Sequence, residues 1–106
     1  MSLAKAIKIA KQSNQRFRHA TLIIRGGAIL AAACNTAERH AEDRAIRQLW
    51  PTYARGSTVI NIRLTRRGFA CARPCIECMA LLRKERVRKI IYTDESGSFV
   101  TEVFKC

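Results

Sequence analysis

The tightest constraint on this chain comes from two short clusters well separated in its sequence, His40-Ala41-Glu42 and Pro74-Cys75-Ile76-Glu77-Cys78. Cys75 and Cys78 are spaced so that a helix carries both thiols on one side, within reach of a single metal ion. A fold in which His40 joins them must bring the starts of two helices together. Three such ligands leave one tetrahedral position open, which is the arrangement of a catalytic rather than a structural zinc. Water in that position has its pKa drawn down to about 7. Glu42 follows His40 closely enough to take the proton from that water without coordinating the metal. The positive end of a helix is also expected to favour the thiolate forms of Cys75 and Cys78. Taken singly, each cluster has plainer readings. C-x-x-C also serves as half of a structural zinc site or as a redox pair, and H-x-E arises by chance. The chain has no second C-x-x-C to complete a structural site.

Hydrophobic periodicity places both clusters at helix starts. Leu3, Ala6, Ile7 and Ala10 recur at helical spacing, with Lys5, Lys8 and Lys11 on the other side. Two strands are expected at Ala20 to Arg25 and Ala28 to Ala33, joined through Gly26-Gly27, which can supply the positive φ angles of a tight hairpin. A helix opens at His40, with Ala41, Ala45, Ile46, Leu49 and Trp50 on one side, and is stopped by Pro51. Thr58 to Thr65 alternates as a third strand, with Ile60, Ile62 and Leu64 on one face and Val59, Asn61 and Arg63 on the other. Arg66 to Arg73 reads as a basic connector, and Pro74 as the first residue of a helix that ends near Arg86. Val87 to Thr93 and Ser98 to Phe104 are the fourth and fifth strands. The Asp94 to Gly97 turn between them is too short for a parallel crossover, so these two run antiparallel. No linker or repeat divides residues 1–106, which are expected to form one domain.

Composition narrows the partners. Twenty basic residues against eight acidic give a net charge of +12, which suits a phosphate or a polyanion. Arginine dominates, and its fork matches phosphate oxygens. Five cysteines, three of them crowded together, suit a disulfide framework poorly. Lys5 and Lys8 interrupt the apolar pattern that a signal peptide needs, and no segment offers the apolar run of a membrane span, so a cytoplasmic protein without a membrane partner is expected. Cys71 is expected to be packed or free beside the motif, Cys34 a small buried residue, and Cys106 uninvolved.

With H-x-E followed by P-C-x-x-C, the chain resembles the cytidine/deoxycytidylate deaminase superfamily over roughly Ala20 to Phe104. The resemblance implies an α/β fold: a three-layer α/β/α arrangement around a five-stranded mixed sheet. It implies Zn2+ held by His40, Cys75 and Cys78, with Glu42 as the proton shuttle. Asn35 matches the asparagine that contacts the sugar, and the backbone N–H groups of Ala41 and Cys75 would orient the base carbonyl. The implied reaction is hydrolytic conversion of cytosine to uracil by a zinc-bound hydroxide, in cytidine, deoxycytidine or their monophosphates. An antiparallel fifth strand is similar to the free-nucleoside branch and to certain toxin and RNA-editing members, whereas a histidine ligand departs from the cysteine usual in nucleoside deaminases. Such small deaminases commonly complete their pockets as homo-oligomers.

Three functions compete. In the first, the substrate is a free nucleoside or nucleotide, and Arg63, Arg66, Arg67 or Arg73, in or before the connector to the zinc helix, holds a 5′-phosphate. In the second, the base lies within single-stranded DNA or RNA. Charge favours this, while few aromatics are available for stacking, namely Phe17, Trp50, Tyr53 and Phe69. In the third, the chain is a zinc-stabilised binding module without catalysis.

Overall fold

The computed structural model describes residues 3–15, 18–37, 39–49 and 54–104. Phe17, Trp50, Pro51, Tyr53 and Cys106 lie outside the described residues. The elements run α1 (Leu3–Ala10), β1 (Arg18–Arg25), β2 (Ala28–Cys34), α2 (Ala41–Gln48), β3 (Thr58–Thr65), β4 (Gly68–Ala70), α3 (Ile76–Lys84), β5 (Lys89–Thr93) and β6 (Phe99–Val103).

One mixed sheet carries the order β2-β1-β3-β5-β6, with β4 attached to the end of β3. β3 and β5 are parallel, joined by the crossover through α3, and the other neighbours are antiparallel. The β1–β2 hairpin turns at Gly26 and Gly27, whose φ angles of 58° and 78° are the left-handed values such a turn demands. β6 pairs antiparallel with β5, as the short turn after Thr93 requires.

The sheet has six strands rather than the expected five. Arg66 and Arg67 form a two-residue turn, and Gly68 to Ala70 folds back on Arg63 to Thr65. The Thr65 hydroxyl closes this turn, donating to the Gly68 carbonyl and accepting from the Arg67 N–H. β4 runs alongside β3 beyond the stretch that β5 occupies, from Thr58 to Asn61.

Both faces of the sheet are covered. Ala6, Ile9 and Ala10 of α1 pack with Ala20, Leu22, Cys34, Ile60 and Ile62 on one face. On the other, Ala45 and Leu49 from the α2 segment and Leu82 of α3 meet Ile23, Ala31, Val59 and Ile90. The alternation read in the third strand therefore holds, and its two faces meet two different helical layers. Small residues in β2, Ala31 to Cys34, let α1 and α2 approach the sheet closely. The outer edge of β2 is covered in part by Gln48, whose amide accepts from the Ala32 N–H and donates to its carbonyl. No helix among the described residues is long and apolar enough to cross a membrane.

The expected and observed ends of α3 differ. Pro74 precedes the helix, Cys75 is its N-cap with extended backbone (φ −66°, ψ 168°), and regular helix starts at Ile76. At the other end Arg86 takes the left-handed conformation, φ 60°. Its N–H bonds to the Arg83 carbonyl at 3.0 Å, and Val87 N–H to the Leu82 carbonyl at 3.1 Å, a Schellman closure built without glycine. Leu82 and Val87 then pack in one core cluster, which directs the chain into β5.

Candidate active site

His40 and Cys75 occupy equivalent places in the fold. His40 is the N-cap of α2 with φ −72° and ψ 154°, and Cys75 is the N-cap of α3. An N-cap residue is extended while its carbonyl already accepts the first helical bond, as Arg44 N–H to His40 O and Met79 N–H to Cys75 O do here. Cys78, three residues beyond its cap, lies on the same side of α3 and is buried, whereas Cys75 and His40 are exposed.

The three side chains converge. His40 Nδ1 lies 3.3 Å from Cys78 Sγ and 3.9 Å from Cys75 Sγ. All three donor atoms lie within 4.8 Å of one another. Donors of a tetrahedral zinc with the usual Zn–S and Zn–N lengths sit about 3.5–3.8 Å apart, so the donor set and its spacing fit that ion. Burial pushes the Cys78 thiol well above its ordinary pKa, and the charges of Glu42 and Cys75 add to the effect. A divalent cation between the thiols reverses that field.

Glu42, in the first turn of α2, is 3% exposed, and its Oε2 accepts a 3.0 Å hydrogen bond from Asn61 Nδ2. Asn61 is 1% exposed, and its Oδ1 accepts from the Thr21 hydroxyl at 2.6 Å. Sequence reading assigned Asn61 only to a strand face. The signal it offered was a lone amide among β-branched and apolar residues in a strand that helices cover on both sides.

Asn35 follows β2 directly. Its Oδ1 accepts from the His19 N–H at 2.9 Å, while its own N–H donates to the His19 carbonyl at 3.2 Å. His19 is a second residue the sequence did not single out. Burial first, then the charges of Arg63 and His40, hold its pKa down to about 4, so its imidazole is neutral beside the site. Arg73, in the segment leading to Cys75, forks onto Glu102 of β6 at 2.8 and 3.3 Å, and Tyr92 donates to the same carboxylate at 2.6 Å. A substrate phosphate at Arg73 would compete with a carboxylate already there. Cys34 is buried, Cys71 half-buried, and both are free thiols.

A cleft of about 270 Å³ opens beside His40 and Cys78, lined also by Arg39, Asp43, Glu77 and Leu81. A larger groove of about 900 Å³ lies away from the thiols, between the end of α1, the start of β1 and the β3–β4 turn.

Two helix N-termini converge on a His-Cys-Cys donor set that could hold a metal ion, with a buried carboxylate in the first turn of the first helix. Residues 1–94 match the family model described as the cytidine and deoxycytidylate deaminase zinc-binding region. The chain belongs to this family, and Zn2+ is the cofactor consistent with its zinc-binding region and with the grouping of His40, Cys75 and Cys78. Solved structures share the fold. The dCMP deaminase of the cyanophage S-TIM5, in complex with dCMP and dUMP, superposes with a TM-score of 0.71 at 20% identity, over 87% of this chain and 77% of that one. RibD of Acinetobacter baumannii gives 0.62 at 21% identity over 86% of this chain and 26% of that longer one. A structure from work on A-to-I editing by tRNA:A34 deaminases gives 0.57 at 20% identity, over 73% of this chain and 60% of that one. No curated protein sequence matches the chain.

Proposed function

We propose that the chain is a hydrolytic deaminase that converts cytosine to uracil in a nucleoside or nucleotide. The observation that carries this reading is the Glu42 carboxylate, buried in the first turn of α2 beside a three-donor cluster that fits zinc. His40, Cys75 and Cys78 would hold the ion. Zinc, when bound, supplies the Lewis acidity that makes water a competent nucleophile near neutral pH. Glu42 accepts the proton that the water gives up, delivers it to the ring nitrogen and passes a further one to the departing amine, so that water and cytosine become uracil and ammonia. The backbone N–H groups of Ala41 and Cys75, at the two helix starts, orient the base carbonyl, because helix-terminal N–H groups lack acceptors within their own helix. Asn35, anchored on its Oδ1 side by His19, contacts the sugar. Arg73 takes a 5′-phosphate in exchange for Glu102. A second copy of the chain completes the small open cleft, which light scattering on an active preparation tests. Assay of ammonia release from cytidine, deoxycytidine, CMP and dCMP by the zinc-loaded protein decides the main reading. Activity on one of them that vanishes in Glu42→Gln supports it, and silence on all four rejects it.

A second reading, deamination within single-stranded nucleic acid, is favoured by one observation. The eight acidic residues are Glu38, Glu42, Asp43, Glu77, Glu85, Asp94, Glu95 and Glu102, so α1, β1, β2, β3 and β4 contain none. The larger groove lies among these acid-free elements and is lined by Lys11, Arg18, Arg66 and Arg67. Among the described residues no carboxylate pairs with any of these four cations. A groove of this charge suits a phosphodiester backbone.

A further inference from the structure

We infer that Asn61, itself held by Thr21, is a positioning residue that fixes the Glu42 carboxylate for proton transfer. This rests on the reading of Glu42 as the proton carrier. Thr21 and Asn61 are directly opposed partners on β1 and β3, on the face that α2 and α3 cover. Thr21 Oγ1 donates to Asn61 Oδ1 at 2.6 Å. Asn61 Nδ2 is thereby turned toward two acceptors, Glu42 Oε2 at 3.0 Å and, more weakly, the Ala72 carbonyl at 3.4 Å. The opposite amide orientation would set Oδ1 against a carboxylate and a carbonyl, three acceptors facing one another, so chemistry determines the assignment.

The placement is costly unless it is used. A fully buried amide in the centre of a sheet must have its hydrogen bonds satisfied, and an apolar side chain would fill the same place between Thr21 and Tyr92 without that requirement. What the amide adds is a bridge. It reaches α2, which carries His40 and Glu42, and the segment at Ala72 that leads to Cys75. Ala72 is in turn tied to β5 by its N–H, 2.7 Å from the Thr93 carbonyl. Anchoring Oε2 restricts rotation of the carboxyl group. A proton carrier whose position drifts by about 1 Å can lose on the order of 100-fold in rate.

The test uses the zinc-loaded full chain and single-turnover rates for Asn61→Ala, Thr21→Val, Glu42→Gln and the double variant Asn61→Ala/Glu42→Gln. Asn61→Ala is expected to lower kcat by about 10- to 100-fold and Thr21→Val by about 3- to 10-fold, with KM changed less than about 2-fold and zinc content unchanged. A residue acting only through Glu42 adds no further loss in the Glu42→Gln background. Thr21→Val is nearly isosteric, so the test survives if Asn61→Ala fails to fold. Normal kcat in both single variants overturns the inference, as does a loss of equal size with or without Glu42, which marks a merely structural role. Wild-type protein inactive on every substrate overturns the deaminase reading and the inference together. An active wild type that is sensitive to Glu42→Gln but not to Asn61→Ala or Thr21→Val overturns the inference alone.

Discussion

His40 Nδ1 and Cys78 Sγ stand 3.3 Å apart although the two residues are 38 positions apart in the sequence. The contact joins the start of α2 to the first turn of α3, two helices that otherwise meet mainly through the sheet. A metal shared by His40, Cys75 and Cys78 should therefore stabilise the fold as a clip between layers. At zinc concentrations about 1,000 times Kd the expected gain is about 4 kcal/mol, and a chelator should remove it. His40→Ala, Cys75→Ser and Cys78→Ser should each weaken zinc binding by at least about 100-fold. Competition with a chromophoric chelator measures the affinity and thermal unfolding measures the clip. An unfolding temperature indifferent to chelation would sink the expectation.

Glu42 should respond differently to two substitutions. Its Oε2 is the acceptor for a buried amide. Glu42→Gln keeps an acceptor oxygen for Asn61, so metal-free stability should stay within about 1 kcal/mol of the wild type. Glu42→Ala leaves Asn61 Nδ2 with only the long contact to Ala72 and should cost about 1–3 kcal/mol. Urea unfolding of the metal-free variants separates the two, and equal losses would show that the hydrogen bond contributes little.

Much of this arrangement was legible in the sequence because periodicity and metal-ligand spacing are local signals. The apolar recurrence of α1 and the alternation of β3 gave those elements their observed bounds, and His40, Cys75 and Cys78 do come together. What escaped depends on tertiary context. β4 was hidden because Arg66-Arg67 is not a turn-forming pair by composition, and the turn is closed by the Thr65 hydroxyl. Asn61 was hidden because both faces of β3 are covered, so a polar residue in it need not face water.

Arg86 offers a stabilising change. A non-glycine residue in the left-handed region costs about 1–2 kcal/mol, and glycine avoids this while adding entropy to the unfolded chain. Arg86→Gly is therefore expected to raise stability by about 0.5–1 kcal/mol while preserving the bonds to Arg83 and Leu82. Denaturant midpoints at constant m-value check it. A lowered midpoint would mean that the Arg86 side chain contributes more than its backbone strain costs.

His19 should make stability depend on pH between about 4 and its ordinary value near 6.5. Its folded pKa is depressed by burial, then by Arg63 and His40, so in this window the unfolded chain binds the additional proton. The stabilisation is present in full above the unfolded value and is lost as pH falls toward the folded one. The shift corresponds to at most about 3 kcal/mol. Unfolding of the metal-free wild type and of His19→Gln across this range should show the wild type losing more stability on acidification. Parallel curves would exclude a depressed His19 pKa.

The groove beside the β3–β4 turn makes a prediction about salt. If it tracks a phosphodiester backbone, Arg66 and Arg67 each displace counterions from a single strand, and the slope of log K against log salt falls by about 0.7 for every contact removed. The paired substitution Arg66→Ala/Arg67→Ala should therefore weaken binding of a fluorescent oligonucleotide and flatten its salt dependence by about 1.4. Arg55→Ala serves as control. Arg55 is exposed just before the start of β3, whereas the groove lies at the end of that strand, so the control removes one such charge from elsewhere, half of what the paired substitution removes. An effect of the paired substitution no more than about twice that of the control would mean that only net charge matters. A selective effect of Arg66 and Arg67 would assign the backbone to the groove and favour the polynucleotide reading over the free nucleotide.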